Sequence, residues 1–226
     1  MSTEDQLSQI KGFDKIKAFY DNNRRNVSIA AIALIVIAGG IYYYTNMLLP
    51  KKETQAQAEL FPAERYFRMD SVDKALYGDG QTMGMIDIAD QFGSTDAGKL
   101  ANYYAGRLLM NRGEFEAAKE HLIKAKLKDN FLAAGAVILQ GDCESELGNY
   151  ENAAKLYMKA AEKRENDVTT PKALYKAAIA FEATAQFDKA LKALKRIKDD
   201  YSESPNGENI DRFIAMVEAK IASQNN

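Results

Sequence analysis

Cysteine and histidine, the side chains that most often serve as nucleophile, base or zinc ligand, each occur once in this chain, as Cys143 and His121. A His/Cys zinc site or a Cys-His dyad would therefore require these two residues to meet. We expect His121 to lie exposed or half-buried on a helix, and Cys143 to be a small buried packing residue. A single cysteine also cannot form an intramolecular disulfide.

Two other patterns have the composition of a chemical site. Residues 78–84, GDGQTMG, are glycine-rich, but no Lys-Ser/Thr pair follows and no strand is predicted before them, so we predict a turn. The acidic pair Asp199-Asp200 lacks the spaced ligands of a calcium loop and is predicted to be a solvated helix end. We therefore predict no catalytic residue, metal, cofactor or small-molecule substrate, and a protein that is not an enzyme.

The overall composition excludes further classes. The 226 residues are 46% hydrophobic, which provides for one or two domains with a core and excludes a disordered chain. Acidic residues number 32 and basic residues 30, for a formal net charge of −2. Because nucleic-acid binding requires clustered Lys and Arg in excess, we predict no nucleic-acid partner.

One segment, residues 27–49, carries no charge and reads VSIAAIALIVIAGGIYYYTNMLL. At ~1.5 Å per residue a helix of this length covers ~35 Å, enough to cross a hydrocarbon core of ~30 Å. We predict a transmembrane anchor helix in contact with membrane lipid. The alternatives are a buried core helix and a cleaved signal peptide, for which Ala56-Gln57-Ala58 offers a small-residue pattern.

The residues around this segment predict its orientation. Residues 1–26 form a short basic tail that ends in Arg24 and Arg25, and Lys51 and Lys52 follow the anchor. The tail carries five basic residues against four in the first twenty positions after the anchor, which favours a cytoplasmic N-terminus. The remaining chain, from residue 51 to residue 226, would then lie on the outer side of the membrane.

Past the anchor the sequence repeats itself. The pair Gly106 and Gly113 recurs 35 positions later as Gly141 and Gly148, and an aromatic residue follows each turn, as Phe115, Tyr150 and Phe187 at offsets of 35 and 37. The small and large positions of the second helix recur at the same offsets, as Ala118, Ala153 and Ala190 and as Leu122, Tyr157 and Leu194. This spaced set resembles the tetratricopeptide repeat, a helical hairpin in which small residues let two helices pack closely.

The repeats predict an all-α fold, an α-solenoid of three to four hairpins. In the third copy we expect Ile179 and Gln186 at the glycine positions. Residues 50–96 are predicted as a linker and a degenerate first hairpin, with helices within 53–77 and 82–92, and residues 97–223 as the repeat domain. The predicted helix pairs are 97–128, 131–164 and 170–201, and a capping helix follows over 209–223.

A solenoid of this kind exposes the inner face of the first helix of each hairpin for binding. The spacing predicts a mixed surface there, without the cluster of Lys and Arg that would hold a peptide carboxylate. Tyr103 has an alternative role, because it could instead pack against the preceding hairpin. The predicted partner-binding residues are Tyr103, Arg107 and Met110 in the first copy, Ile138, Asp142 and Ser145 in the second, and Lys176, Ala180 and Ala183 in the third.

The order of tail, anchor and repeats, together with the segments ALYGDG (75–80), AGKLA (97–101) and Gly141-Asp142, resembles the YfgM-like family of bacterial membrane-anchored tetratricopeptide proteins from about Asn22 to Phe213. The resemblance implies a bacterial inner-membrane protein whose repeats lie in the periplasm. It also implies a non-catalytic accessory of protein export, with translocon subunits of the SecYEG type, chaperones or exported clients as protein partners. The alternative is an envelope-assembly or cell-division scaffold of the same topology.

Overall fold

The computed structural model describes residues 3–163 and 165–224, with side chains described from Lys17 onward. Met1 and Ser2 of the predicted tail and Arg164 at the end of the predicted second hairpin lie outside the described residues. The described chain contains helices and no strand, so the all-α prediction is confirmed. It divides into two compact units, one up to Lys51 and one from Lys52 onward.

The first unit is helical. Helix α1 spans Thr3–Tyr43 and contains a non-helical residue at Asn23, and a π-helical turn follows over Tyr44–Leu48. One described stretch, Lys17–Arg68, is long and apolar enough to cross a membrane, and none of its most apolar window is buried. A core helix of a soluble protein would bury that window, so this alternative is not supported.

Three helices follow, and the first of them begins three residues before the second unit. They are α2 (Leu49–Arg68), α3 (Val72–Tyr77) and α4 (Met85–Phe92). The predicted helix at 82–92 begins three residues later than expected. The cause is the preceding turn, in which the Asp79 carboxylate accepts hydrogen bonds from the backbone N–H groups of Gln81 and Thr82 at 3.0 and 2.8 Å.

Three helical hairpins follow at the predicted places. They are α5 (Asp96–Asn111) with α6 (Phe115–Lys124), α7 (Asn130–Glu146) with α8 (Tyr150–Glu162), and α9 (Thr169–Ala183) with α10 (Phe187–Asp200). Helix α11 (Ile210–Gln224) then packs on the last pair through buried Ile214 and Val217.

The small residues have the packing role that the repeat predicts. A Cβ atom on Gly106 would lie 2.6 Å from Leu122, and one on Gly141 would lie 2.6 Å from the ring of Tyr157. Ala118 on the facing helix is fully buried. Because these contacts leave no room for a methyl group, the two helices of the first and of the second hairpin can approach this closely only with glycine at these positions.

The register of the third hairpin corrects the sequence prediction. Gly113 and Gly148 have φ angles of +76° and +78°, and the third turn has its left-handed residue at Ala185, with φ +55°. The residue that follows Ala185 donates its N–H to the carbonyl of Phe181, as the residues after the two glycines do to Leu109 and Glu144. Alanines, Ala178 and Ala185, therefore replace the glycines, and the prediction of Ile179 and Gln186 is wrong.

Candidate partner-binding surface

The inner face of α5, α7 and α9 can be aligned by the turns that end these helices. The backbone carbonyls of Met110, Ser145 and Glu182 accept equivalent hydrogen bonds from the left-handed residues of the three turns. The stripe of side chains on the inner face of the third copy consequently lies one residue before the predicted Lys176, Ala180 and Ala183. The residues equivalent to those of the first two copies are Tyr175, Ile179 and Glu182.

This displacement agrees with burial. Ala180 is 2% exposed and belongs to the core, whereas Ile179 is 51% exposed. The position equivalent to Arg107 and Asp142 is therefore an exposed isoleucine in the third hairpin. Lys176 keeps a place on this surface, because its side chain reaches across to the second hairpin.

The first stripe position is buried in the two hairpins that carry Tyr103 and Ile138. Tyr103 is 9% exposed and Ile138 is 3% exposed. The tyrosine hydroxyl lies 3.7 Å from the place of a Cβ on Gly135 of the next hairpin. Tyr103 therefore packs against the neighbouring hairpin, and both of these predicted site residues are buried rather than open to a partner.

Helix α2 occupies the space beside the first of these helices. The Glu53 carboxylate accepts hydrogen bonds from the N–H groups of Asp96 and Ala97, at 2.7 and 3.2 Å, at the start of α5. Farther along, the Phe67 ring lies 4.9 Å from that of Tyr104, and the Arg107 guanidinium lies 5.3 Å from the Phe67 ring. Arg107 is exposed, but one side of its guanidinium stacks on an aromatic ring of its own chain.

An open cavity of about 380 Å³ lies between the first, second and third hairpins. It brings together four of the predicted residues: Met110, Asp142, Ser145 and Lys176. Its other lining residues are not among those predicted to bind a partner. They are Asn111, Phe115, Glu146 and Tyr157.

One charged network forms part of the cavity wall. The Lys176 ammonium lies 2.9 Å from Asp142 Oδ1, and the Tyr157 hydroxyl donates a hydrogen bond of 2.7 Å to the same oxygen. Lys176 also lies 5.8 Å from the centre of the Tyr157 ring. Burial, followed by the hydrogen bond to Asp142, raises the pKa of Tyr157, so this hydroxyl stays protonated and remains a donor.

The repeat pattern already contained the signal for Tyr157. Leu122, Tyr157 and Leu194 occupy the same large position of the second helix, and only the tyrosine carries a polar group. Its ring packs against Gly141, which directs the hydroxyl to the neighbouring Asp142. A hydroxyl at a packing position therefore indicates a polar partner on the inner face.

The two residues singled out for chemistry have packing roles. Cys143 is fully buried, and burial raises the pKa of its thiol to about 11. His121 is half-buried, and its Nδ1 lies 3.0 Å from Oδ1 of the buried Asn102. Burial lowers the pKa of His121, the charge of Lys124 lowers it further, and Asp90 and Glu120 oppose the shift. Within the described residues, no group of three or more His, Cys, Asp or Glu side chains is placed to hold a metal ion.

The comparison with known families agrees with this geometry. A family model described as a tetratricopeptide repeat matches residues 172–204, which cover most of the third hairpin. No curated protein matches the chain. Tetratricopeptide repeats generally mediate protein–protein interactions and are generally non-catalytic, so the match supports a protein-interaction role for this chain.

Proposed function

We propose that this chain is a non-catalytic adaptor, anchored in a bacterial inner membrane by residues 27–49, that binds protein partners on the inner face of its repeats. Residues 1–26 lie in the cytoplasm and the repeat unit lies in the periplasm. The partners belong to protein export, as translocon subunits, periplasmic chaperones or exported clients. An envelope-assembly or cell-division scaffold would use the same topology with different clients.

The cavity between the hairpins is the observation that carries the binding proposal. Its wall combines an ion pair, an amide, a hydroxyl and a second carboxylate with the apolar surfaces of Met110 and Phe115. The polar groups of such a wall can form hydrogen bonds with the backbone of an entering polypeptide segment. The apolar side chains of that segment can pack between these polar groups, against Met110 and Phe115. Arg107, Met110, Asp142, Ser145 and Lys176 are the predicted site residues that this surface leaves exposed or half-exposed.

The anchoring proposal depends on the exposure of the apolar segment. Ile35, Val36 and Tyr42 are 71%, 67% and 70% exposed. In water, this much contiguous apolar surface would be strongly unfavourable, whereas a bilayer would cover it. The basic tail before the segment supports the cytoplasmic placement of the N-terminus.

Site-specific crosslinking in intact membranes tests the proposal. A photoreactive residue is placed at Ser145, in the cavity, and a matched one at Ala117, an exposed position on the second helix of the first hairpin. The Ser145 probe should crosslink to a Sec subunit, a periplasmic chaperone or an exported protein, and the Ala117 probe should not.

The identity of the crosslinked protein distinguishes the alternatives. If cell-division or envelope-assembly proteins are captured at Ser145, the scaffold function holds and the export function is overturned. Cytoplasmic proteins captured there would overturn the orientation. Equal products from both probes, or none from Ser145, would show that the cavity is not the binding surface.

A further inference from the structure

One end of the repeat unit carries an exposed apolar and basic loop that the proposed adaptor function does not use. It consists of the connection between α6 and α7 and the adjoining helix ends, residues 123–132, which we call the α6–α7 tip. Phe131 is 52% exposed and Ile123 is 54% exposed, and Lys124 and Lys126 are exposed beside them. The Asp129 carboxylate accepts a hydrogen bond of 2.8 Å from the N–H of Leu132 and so holds the first turn of α7 in place.

Hydrogen bonds and an ion pair place this tip near the start of α2. The Glu53 carboxylate binds the backbone of Asp96, and the Asp96 carboxylate lies 2.6 Å from the Lys128 ammonium in the tip. The tip and the first residues of α2 are therefore on the same end of the repeat unit. The opposite end carries the turns within the hairpins, such as Gly148 and Tyr150.

The length of the connecting chain limits how far this end can be from a bilayer. Glu53 is four residues after Leu49, the last residue of the apolar segment. Even a fully extended chain covers at most ~3.6 Å per residue, or roughly 14 Å over four residues. If residues 27–49 cross a membrane, as proposed above, the α2 end of the repeat unit is within that distance of the lipid headgroups.

From this geometry we infer that the α6–α7 tip docks on the surface of the bilayer, with Phe131 and Leu132 in the headgroup region and Lys124 and Lys126 facing anionic lipid. Phenylalanine and leucine flanked by lysines form the composition that partitions into the interface between lipid and water. In the next tip along the solenoid, residues 163–168, two acidic residues offset the two basic ones beside the exposed Val168, so that tip has no excess of basic charge to attract an anionic surface.

This docking gives the repeats a fixed orientation. A single anchor helix holds a protein at the membrane through one point only. A second contact at the tip keeps the N-termini of α5, α7 and α9 toward the lipid and the turns within the hairpins away from it. The inference depends on the proposed anchoring and adds a lipid contact that the adaptor function alone does not require.

The absence of tryptophan from the sequence allows a direct test with the full chain. The variant Phe131→Trp is reconstituted into vesicles of anionic or zwitterionic lipid, with or without bromine on the acyl chains near the headgroups. Tyr150→Trp is the matched control, because Tyr150 is 40% exposed and lies beyond the other end of α7, about 25 Å from Phe131.

The Phe131→Trp emission should lie at shorter wavelength in anionic than in zwitterionic vesicles, and brominated lipid in the anionic vesicles should quench it. The Tyr150→Trp emission should show neither effect. Adding Lys124→Glu and Lys126→Glu to Phe131→Trp should weaken quenching, since each lysine near an anionic surface contributes about fivefold to partitioning. Leu132→Trp replaces Phe131→Trp if circular dichroism shows that the latter is not folded.

Flotation of the vesicles after alkaline extraction separates the two possible failures. A chain that floats with the vesicles but shows an unquenched tip tryptophan is anchored, and the docking inference is overturned alone. Equal quenching at both tryptophans overturns it as well, because the orientation is then not fixed. A chain that does not float overturns the anchoring and the docking together.

Discussion

The inner face of the repeats differs between its two halves. Along α5, helix α2 supplies the Phe67 ring on which Arg107 stacks, and Tyr103 is buried between hairpins. Between α7 and α9, the equivalent surface is an open cavity in which Asp142, Lys176 and Tyr157 form one network. Arg107 and Asp142 occupy equivalent positions of the repeat, yet the first stacks on a ring of another helix and the second lines an open cavity.

The largest expected effect tests the half of the inner face along α5, where side chains pack against other parts of the chain. Tyr103→Ala removes a buried ring at the contact between neighbouring hairpins, and removal of a large aromatic side chain from a core costs about 3 kcal/mol. Arg107→Ala is the matched variant on the same helix, where loss of the stacking interaction costs about 0.5–1 kcal/mol. The free energies of unfolding are measured by denaturant titration in detergent. Equal losses would contradict the distinction between the buried and the exposed stripe residue.

The same distinction changes how partner binding is tested. A double variant of Tyr103 and Arg107 would combine a stability defect with a surface change, and the loss of a partner could then follow from partial unfolding. Variants of Ser145 and Lys176 alter the open half with less damage to the core. The two halves therefore require separate experiments.

The packing of each hairpin could be predicted from the sequence because it is local. Gly106 and Leu122, or Gly141 and Tyr157, meet within one hairpin, and their spacing is repeated along the chain. The third hairpin could not be placed to the residue in this way. Its turn has an alanine in the left-handed region, and sequence rules assign that conformation to glycine.

The contacts between hairpins could not be predicted from the sequence. The ion pair of Lys176 with Asp142 depends on the register of two neighbouring hairpins, which a shift of one residue changes. The stacking of Arg107 on Phe67 depends on the position of α2, and α2 does not carry the repeat pattern. Met110, Asp142 and Ser145 were found because they lie on helices whose spacing was visible. Lys176 was predicted from a register one residue off, and it lines the cavity because its long side chain reaches Asp142 of the second hairpin.

A smaller effect is expected at the turns that border the open half. Gly148 and Ala185 occupy equivalent left-handed positions, one with glycine and the other with alanine. An L-residue there costs roughly 1–2 kcal/mol, which the lower chain entropy of unfolded alanine partly offsets. Gly148→Ala should therefore lower the free energy of unfolding by about 1 kcal/mol, and Ala185→Gly should raise it by a similar or smaller amount.

The same denaturant titration measures both turn variants. A loss of stability in Ala185→Gly would mean that the third turn is not strained and that its alanine has another role. The double variant should have nearly the stability of the parent chain, because the two changes act in separate hairpins and have opposite signs.

The smallest expected effect is a loss of stability at acidic pH. It should arise in the first hairpin and leave the cavity unchanged. His121 is the only histidine in the sequence, and burial, followed by the charge of Lys124, lowers its pKa below the ordinary value of about 6.5. The unfolded chain therefore binds the proton more tightly than the folded chain. Stability from the neutral imidazole is complete above pH ~6.5 and is lost as the pH falls through the lower pKa of the folded state.

Denaturant titrations between neutral and mildly acidic pH should show this loss in the parent chain and a shallower pH dependence in His121→Gln. The glutamine keeps a polar group near Asn102 and cannot take up the proton. The Ser145 crosslink should be unchanged over the same range, because the cavity contains no histidine. A crosslink that weakens in parallel with stability, and only when His121 is present, would show that the two halves of the inner face are energetically coupled.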